Sequence, residues 1–448
     1  MRLPDPARSR ALLIGTGGYS DKRLPDIPVV NRTVTDLAAL LTDSTYGVMP
    51  SANCVTLVDE GDMRQVGRQL QAAVAGAEDF LLVYFTGHGL VAGKRHDLYL
   101  GLQDSDWESP QFNSLDYDKV RAAVLDSRAK TKVIILDCCF SGRAVTDTMA
   151  DPVAQVTNQL EVAGTYVLTS AQRDQVALVV AGEQHTAFTG RLMRILREGV
   201  PDGPELLTIE ELYRQLASVM RSEGLSTPQK RGTVNAELVA LGPNRALVAK
   251  ALPILRRRQA QAIQCAENGD WPTATKLLED LVEEQTRLLG AKHEDTLRSR
   301  QYLAHAQGWA GSLDEAAGDL RHLTYVQATV LGADHPDTLR SRQFYAVNLG
   351  ESGDRSMAIR ELRPLLSDRR RILGASDPDT LRTAHMLARN LARTGETREA
   401  SALLREVIAQ RERGLGTEHP HTVRAREDLA ALSGGREPVP AAAPDSNA

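Results

Sequence analysis

The chain has 448 residues, with 53 Lys and Arg against 58 Asp and Glu and a formal net charge of −5. That length exceeds one ordinary core, so two or three domains are expected. Neither half carries the excess of positive charge that a nucleic-acid partner calls for, which excludes that class. No apolar run approaches the roughly 18 residues of a membrane span. The first residues, Met1-Arg2-Leu3-Pro4-Asp5-Pro6, lack the apolar core of a secretory leader. The reading is therefore a soluble, cytoplasmic protein with no membrane partner. The four cysteines, Cys54, Cys138, Cys139 and Cys265, match neither a disulfide framework nor zinc-ligand spacing, and a reducing compartment is expected to keep them as thiols.

In chain order, Ala11–Gly15 predicts a first strand. The turn after it, Thr16-Gly17-Gly18, is no phosphate loop, because no Lys-Ser/Thr follows. A helix is expected over Asn31–Leu41, with Asp36 in it, then a strand over Asn53–Val58 and a helix over Asp62–Ala75. Asp79-Phe80-Leu81-Leu82-Val83-Tyr84-Phe85 is an apolar strand ending in Thr86-Gly87-His88-Gly89. After a short extension at Asp97–Leu102 come the acids Asp104 and Asp106 and a helix over Asp118–Ser127. Lys132-Val133-Ile134-Ile135-Leu136, rich in β-branched residues, is a strand buried on both faces that runs into Asp137-Cys138-Cys139-Phe140-Ser141-Gly142. Residues 143–163 read as a linker and Tyr166–Thr169 as a strand. Phe188–Arg197 and Ile209–Arg221 read as amphipathic helices, Leu225–Thr233 as turns and Ala236–Leu241 as a last strand. This alternation implies a mainly parallel sheet with helices on both faces.

Two strands with functional groups at their ends form the candidate site. His88 and Cys139 are separated by 139 − 88 = 51 residues, enough for a helical crossover between parallel neighbours. An imidazole that takes a thiol proton makes a thiolate that attacks a carbonyl. The amide of Gly89, with that of the cysteine, could hold the developing oxyanion. The plain alternative is two core cysteines and a turn histidine.

Thr86-Gly87-His88-Gly89 and Asp137-Cys138-Cys139-Phe140-Ser141-Gly142 resemble the His and Cys boxes of caspase-like (clan CD) cysteine peptidases, closest to the metacaspase and bacterial caspase-like branch. The resemblance covers roughly residues 8–243. It implies an α/β caspase-like domain over residues 1–245, with Cys139 as nucleophile, His88 as base and Cys138 at a variable position. It also implies cleavage after Arg or Lys, with Asp137 lining the primary pocket and Asp36 and Asp174 contributing. For Asp36 the alternative is a helix acid with only a dipole role. Many metacaspases need calcium, for which Asp97, Asp104 and Asp106 are the candidate ligands; otherwise no cofactor is called for. Residues 144–163 contain no Lys or Arg, so a basic-specific enzyme has no good site for self-cleavage there. The run Arg256-Arg257-Arg258 is either such a site or the polar face of a helix.

From residue 251 the strand signal gives way to a repeat. His293-Glu294-Asp295-Thr296, His335-Pro336-Asp337-Thr338, Asp377-Pro378-Asp379-Thr380 and His419-Pro420-His421-Thr422 recur every 42 residues (335 − 293, 377 − 335, 419 − 377). Gly269, Gly311, Gly353 and Gly395 keep the same step, as do Ala274, Ala316, Ala358 and Ala400, and Gly290, Gly332, Gly374 and Gly416. Each unit reads helix, Gly turn, helix, Leu-Gly stop, with Asp or Thr as the expected cap of the first helix. This resembles tetratricopeptide repeats of the kinesin-light-chain type and implies an all-α solenoid over 251–433 that binds a protein partner on its concave face. Residues 434–448 read as a disordered tail. The column Arg298, Arg340, Arg382 and Arg424 has two readings: arginines paired with nearby acids, or a ladder of cations for an acidic peptide. The combined reading is a cysteine endopeptidase acting on a protein or peptide in bacterial signalling or defence. Its rival is a non-catalytic caspase-like scaffold that acts through the repeats.

Overall fold

The computed structural model describes residues 1–93, 97–142, 165–170, 179–231 and 238–434, with the backbone alone for 139–142. The linker at 143–163, Asp174 and the tail from residue 435 lie outside the described residues. The chain divides into two compact units, Met1–Lys250 and Ala251–Ala448.

In the first unit the elements are β1 (Ser9–Gly15), α1 (Val29–Leu41), β2 (Cys54–Val58), α2 (Met63–Gly76), β3 (Phe80–Ala92), β4 (Asp97–Leu100), α3 (Pro110–Asn113), β5 (Leu115–Asp116), α4 (Tyr117–Asp126) and β6 (Thr131–Gly142). They are followed by β7 (Thr165–Thr169), α5 (Ala187–Glu198), β8 (Leu206–Thr208), α6 (Ile209–Ser222), β9 (Gln229–Arg231) and β10 (Ala240–Pro243). Five strands run parallel in the order β2-β1-β3-β6-β7. The expected α/β domain, with a mainly parallel sheet covered on both faces, is the one the chain forms.

Alternation along each strand sorts the apolar side chains into two layers. Leu13, Leu82, Tyr84, Val133, Ile135 and Leu168 pack with residues of α1, α5 and α6. Leu12, Leu81, Phe85, Ile134, Leu136 and Val167 pack with residues of α2 and α4. Each such buried side chain contributes about 1.5–3 kcal/mol relative to exposure. Local capping sets where the helices begin: the Asp62 and Asp116 carboxylates accept from the amides of Arg64 (2.8 Å) and Asp118 (2.9 Å), and the Thr208 hydroxyl accepts from Glu211 (3.2 Å).

Three features differ from the sequence reading. β3 does not stop at Phe85 but continues through the glycines to Ala92, because β4 folds back antiparallel and pairs with Gly89–Ala92. The turn-rich stretch 225–233 contains β9, which pairs antiparallel with β7. The last strand, β10, joins β8 in a separate two-stranded sheet rather than extending the main one.

The second unit is a series of helices. After α7 (Arg245–Glu267) come α8 (Trp271–Leu289), α9 (Glu294–Ala310), α10 (Leu313–Val330), α11 (Pro336–Ser352), α12 (Arg355–Ile372), α13 (Pro378–Arg393), α14 (Thr397–Leu415) and α15 (Pro420–Ser433). The expected all-α solenoid is what the chain forms. Ala274, Ala316, Ala358 and Ala400 are buried where helices cross. Gly290, Gly332, Gly374 and Gly416 take positive φ values of 94°, 104°, 94° and 92° after alternate helices, where a Cβ would be strained.

The cap of each repeat corrects the Asp-or-Thr expectation. His293, His335 and His419 accept through Nδ1 from the amide two residues on, at 3.2, 3.2 and 3.3 Å, and only Asp377 does so with a carboxylate. A neutral imidazole serves as acceptor as well as a carboxylate does, and burial of His293 lowers its pKa and favours that form. Arg256 and Arg258 lie inside α7, paired with Asp295 and Glu284, which favours the helix-face reading of that basic run.

Candidate active site

β3 and β6 are adjacent and parallel, and His88 is the register partner of Cys139. Asp137 precedes Cys139 by two residues, opposite Thr86. Neighbouring strands lie about 4.8 Å apart, so the pairing brings the His and Cys backbones to one place on the sheet. Cys138 is fully buried among Leu136, Val120 and other core residues of the α2/α4 face.

His88 is held from three directions. Its Nε2 lies 2.9 Å from the carbonyl of Pro25. A carbonyl can only accept, so Nε2 carries the proton of the neutral ring and Nδ1 keeps a free lone pair. The amide of His88 donates to the Tyr19 hydroxyl at 2.8 Å, which in turn donates to the carbonyl of Thr16 at 3.1 Å. The Tyr19 and His88 rings lie 4.9 Å apart. Gly87 makes this contact possible: its φ is +149°, and a Cβ there would come within 2.7 Å of the Tyr19 hydroxyl. Tyr19 is fixed in turn by its turn, where the Asp59 carboxylate accepts from the amides of Gly17 and Gly18 at 2.7 and 3.0 Å. His88 is 9% exposed, and burial lowers its pKa. Gly89 is paired in register with Leu100 of β4 and Phe140 of β6.

The expected pocket acids have different surroundings. Asp137 is 1% exposed. Its Oδ2 accepts from the hydroxyls of Thr186 and Thr189, both at 2.6 Å, and Oδ1 accepts no hydrogen bond among the described residues. Burial raises its pKa, and the two threonine hydroxyls oppose that shift. Asp36 is partly exposed and lies 2.7 Å from Nε2 of His185 and 3.5 Å from Arg32. The His185 contact lowers the Asp36 pKa. His185 and Thr186 therefore join the two acids through one short segment, and the Thr186 amide also donates to the Thr33 hydroxyl of α1 at 3.1 Å. Sequence reasoning missed Tyr19, Pro25, His185, Thr186 and Thr189.

The three candidate calcium ligands are not brought together. Asp104 accepts from Ser20 at 2.9 Å, Asp106 accepts from the amides of Glu108 (2.7 Å) and Ser109 (3.0 Å), and Asp97 opens β4. Among the described residues, the group of acids and histidines close enough to share an ion is Glu294, His335 and Asp337 in the second unit. There His335 is already a helix cap and Asp337 pairs with Arg298.

The arginine column is largely ion-paired: Arg298 and Arg340 with Asp337 at 2.9 and 3.8 Å, and Arg382 with Asp379 at 3.3 Å. Arg382 and Arg424, with Trp309, Arg389 and Arg393, also line a groove. No helix among the described residues is long and apolar enough to cross a membrane.

Among solved structures, one of the Podosopora anserina putative kinesin light chain nearly identical TPR-like repeats is 30% identical, with a TM-score of 0.35. That match covers 41% of this chain and 87% of that one. BtubC (BKLC) from P. vanneervenii is 15% identical over 42% of this chain and 81% of that one, with a TM-score of 0.36. Pro-sf-caspase-1 is 14% identical over 52% of this chain and 93% of that one, with a TM-score of 0.34. No curated protein matches the chain. The tetratricopeptide repeat model matches residues 380–421. The caspase domain model matches residues 8–242, more than half of the chain, which thus belongs to the caspase-domain family of peptidases, with tetratricopeptide repeats after the peptidase domain.

Proposed function

We propose that the chain is a cysteine endopeptidase that cleaves a protein or peptide after Arg or Lys, with Cys139 as nucleophile and His88 as general base. The observation that carries this reading is the register of His88 opposite Cys139, together with a His88 ring whose Nε2 proton is committed to Pro25. Nδ1 takes the thiol proton, the thiolate attacks the scissile carbonyl, and the amides of Gly89 and of the nucleophile are the candidate donors to the developing oxyanion. Asp137 and Asp36, with Asp174, form the pocket for the basic side chain. The peptidase domain spans 1–245 and the repeats 251–433. The repeats bind a protein partner, for which the arginine-lined groove is the candidate face. The protein works in the reducing cytoplasm, and bacterial signalling or defence is the setting that the family resemblance suggests.

A panel of fluorogenic peptides differing only in the residue before the cut, with and without calcium, tests the reading. Arg and Lys peptides are expected to be hydrolysed, and neutral or acidic ones to be poor substrates. No hydrolysis of any peptide would favour the scaffold alternative.

The pH profile is a second test. Burial lowers the His88 pKa below the ordinary 6.5, so the neutral base persists as the pH falls past that value and is lost only below it. The acid limb of kcat/KM, which reports the free enzyme, is expected below pH 6.5, and a limb above it would contradict His88 as the base.

A further inference from the structure

We propose that Thr186 and Thr189 are positioning residues for the basic-side-chain pocket, holding Asp137 through one carboxylate oxygen so that the other faces the substrate's cation. The proposal rests on the assignment of Asp137 to that pocket and goes beyond it by naming what keeps Asp137 able to serve.

The hydrogen-bond directions carry the argument. An ionised carboxylate only accepts, so both threonine hydroxyls spend their single proton on Oδ2, each at 2.6 Å. The Tyr84 hydroxyl lies 2.8 Å from Thr189 Oγ1. Because Thr189 donates to Asp137, Tyr84 is the donor to Thr189, and the chain runs Tyr84 to Thr189 to Asp137. Thr186 stands at the N-cap of α5 with extended ψ, where a threonine oxygen ordinarily accepts from the helix's free amides. Here it makes no such cap bond, and its hydroxyl is turned to Asp137 instead. Nothing in the helix requires that diversion, and the buried carboxylate explains it. Oδ1 remains in the same buried environment and accepts no hydrogen bond among the described residues. A buried carboxylate oxygen left in that state is costly unless a donor arrives, and a guanidinium or ammonium supplies one with charge.

Among the described residues, the groups that face Asp137 fit a cationic ligand. Tyr84 faces it from β3, Thr186 and Thr189 from α5, and Ser170 from the end of β7. None of these is a cation. The His185 imidazole, the nearest basic group on that segment, is already against Asp36 of α1, which also meets Arg32. His88 lies two residues beyond Thr86, the register partner of Asp137 on β3. With both hydroxyls removed, burial of Asp137 is opposed only by weaker contacts such as that of Ser170, and the balance shifts toward its protonated, neutral form, which no longer attracts a cation.

The experiment compares Thr186→Val/Thr189→Val with Thr186→Ser/Thr189→Ser in the full chain. The substrates are peptides with arginine, or its neutral isostere citrulline, before the cut, between pH 5.5 and 8.5. The valine pair is expected to raise KM for the arginine peptide about 10-fold or more, to change kcat less than about 3-fold, and to move the acid limb of 1/KM to higher pH. The serine pair, which keeps both donors, is expected to restore KM and the limb, and citrulline hydrolysis is expected to be unchanged in both. If the valine pair does not fold, Thr189→Val alone is read in the same way. Wild-type selectivity for arginine that survives unchanged in folded valine variants overturns the clamp alone. A wild type that hydrolyses citrulline and arginine peptides equally overturns the pocket reading on which the clamp rests.

Discussion

Replacing Cys139 with alanine is expected to abolish peptide hydrolysis, and replacing Cys138 with alanine to leave most of it. The two residues are adjacent on β6, and successive side chains of a strand point to opposite faces of the sheet. Cys138 is 0% exposed within the α2/α4 layer, so its sulfur is part of the packing there. Removing it should cost about 1 kcal/mol of stability, with little effect on chemistry. Cys139 is the register partner of His88. Without a nucleophile the remaining amides and pocket can still bind substrate but form no acyl-enzyme, and the expected loss in kcat is on the order of 10⁴-fold or more. His88→Ala should approach the same floor, because the two act as one unit, and the double variant should be little worse than either single one. Progress curves on the best arginine peptide, with circular dichroism to correct for folded protein, give the comparison. Equal losses from Cys138→Ala and Cys139→Ala, or loss from Cys138→Ala alone, would sink the assignment. Undiminished activity in Cys139→Ala would return the chain to the scaffold reading.

What the sequence made legible at this site was the part carried by local pattern. Two apolar strands, each followed by a short polar motif, led to parallel neighbours with His88 and Cys139 at one place, and the pairing of β3 with β6 is of that kind. Where the strands end was not legible. Glycines at 87 and 89 argue against a strand, but β4 supplies a partner that carries β3 onward, and that partner folds back from beyond the next turn. The groups that orient His88 and Asp137 were hidden for the same reason. Tyr19 and Pro25 are 69 and 63 residues from His88, and Thr186 and Thr189 are 49 and 52 residues from Asp137. A threonine opening a helix reads as a cap, and only the tertiary fold shows its hydroxyl spent elsewhere. In the solenoid the glycine and alanine columns were visible because the backbone requires them. A polar column at the same step was overlooked, because Gln and Arg are expected at the surface. Gln285, Gln327, Arg369 and Arg411 lie 42 residues apart and are all buried.

That column leads to the largest stability change expected in the second unit. Arg369 is 1% exposed, and its guanidinium donates to the side chain of Gln343, to Thr383 Oγ1 at 2.6 Å and to the carbonyl of Asp379 at 3.0 Å. Burial pushes its pKa down to about 10, so it is charged at neutral pH and held by neutral acceptors. One repeat earlier, Gln327 occupies the same place and donates to Gln301 at 3.1 Å. One repeat later, Arg411 donates to His385 Nδ1 at 3.1 Å and to the carbonyl of His421 at 2.8 Å. Arg369 and Arg411 each tie their own helix pair to the next, and Gln327 does so through Gln301, which also accepts from Ser341 of α11 at 3.0 Å; in a solenoid those interfaces carry the cooperativity. Arg369→Ala removes the bridge, opens a cavity and leaves several buried acceptors without donors, for an expected loss of about 3–5 kcal/mol. Arg369→Gln keeps a shorter donor of the kind the chain already uses at Gln327, and the expected loss is about 1–2 kcal/mol. Urea unfolding followed by helical circular dichroism, with intrinsic fluorescence as a second probe, measures both, and the alanine variant should also broaden the transition as neighbouring repeats uncouple. If the two substitutions cost the same, or if each costs less than about 0.5 kcal/mol, the column does not couple the repeats and its burial has another cause.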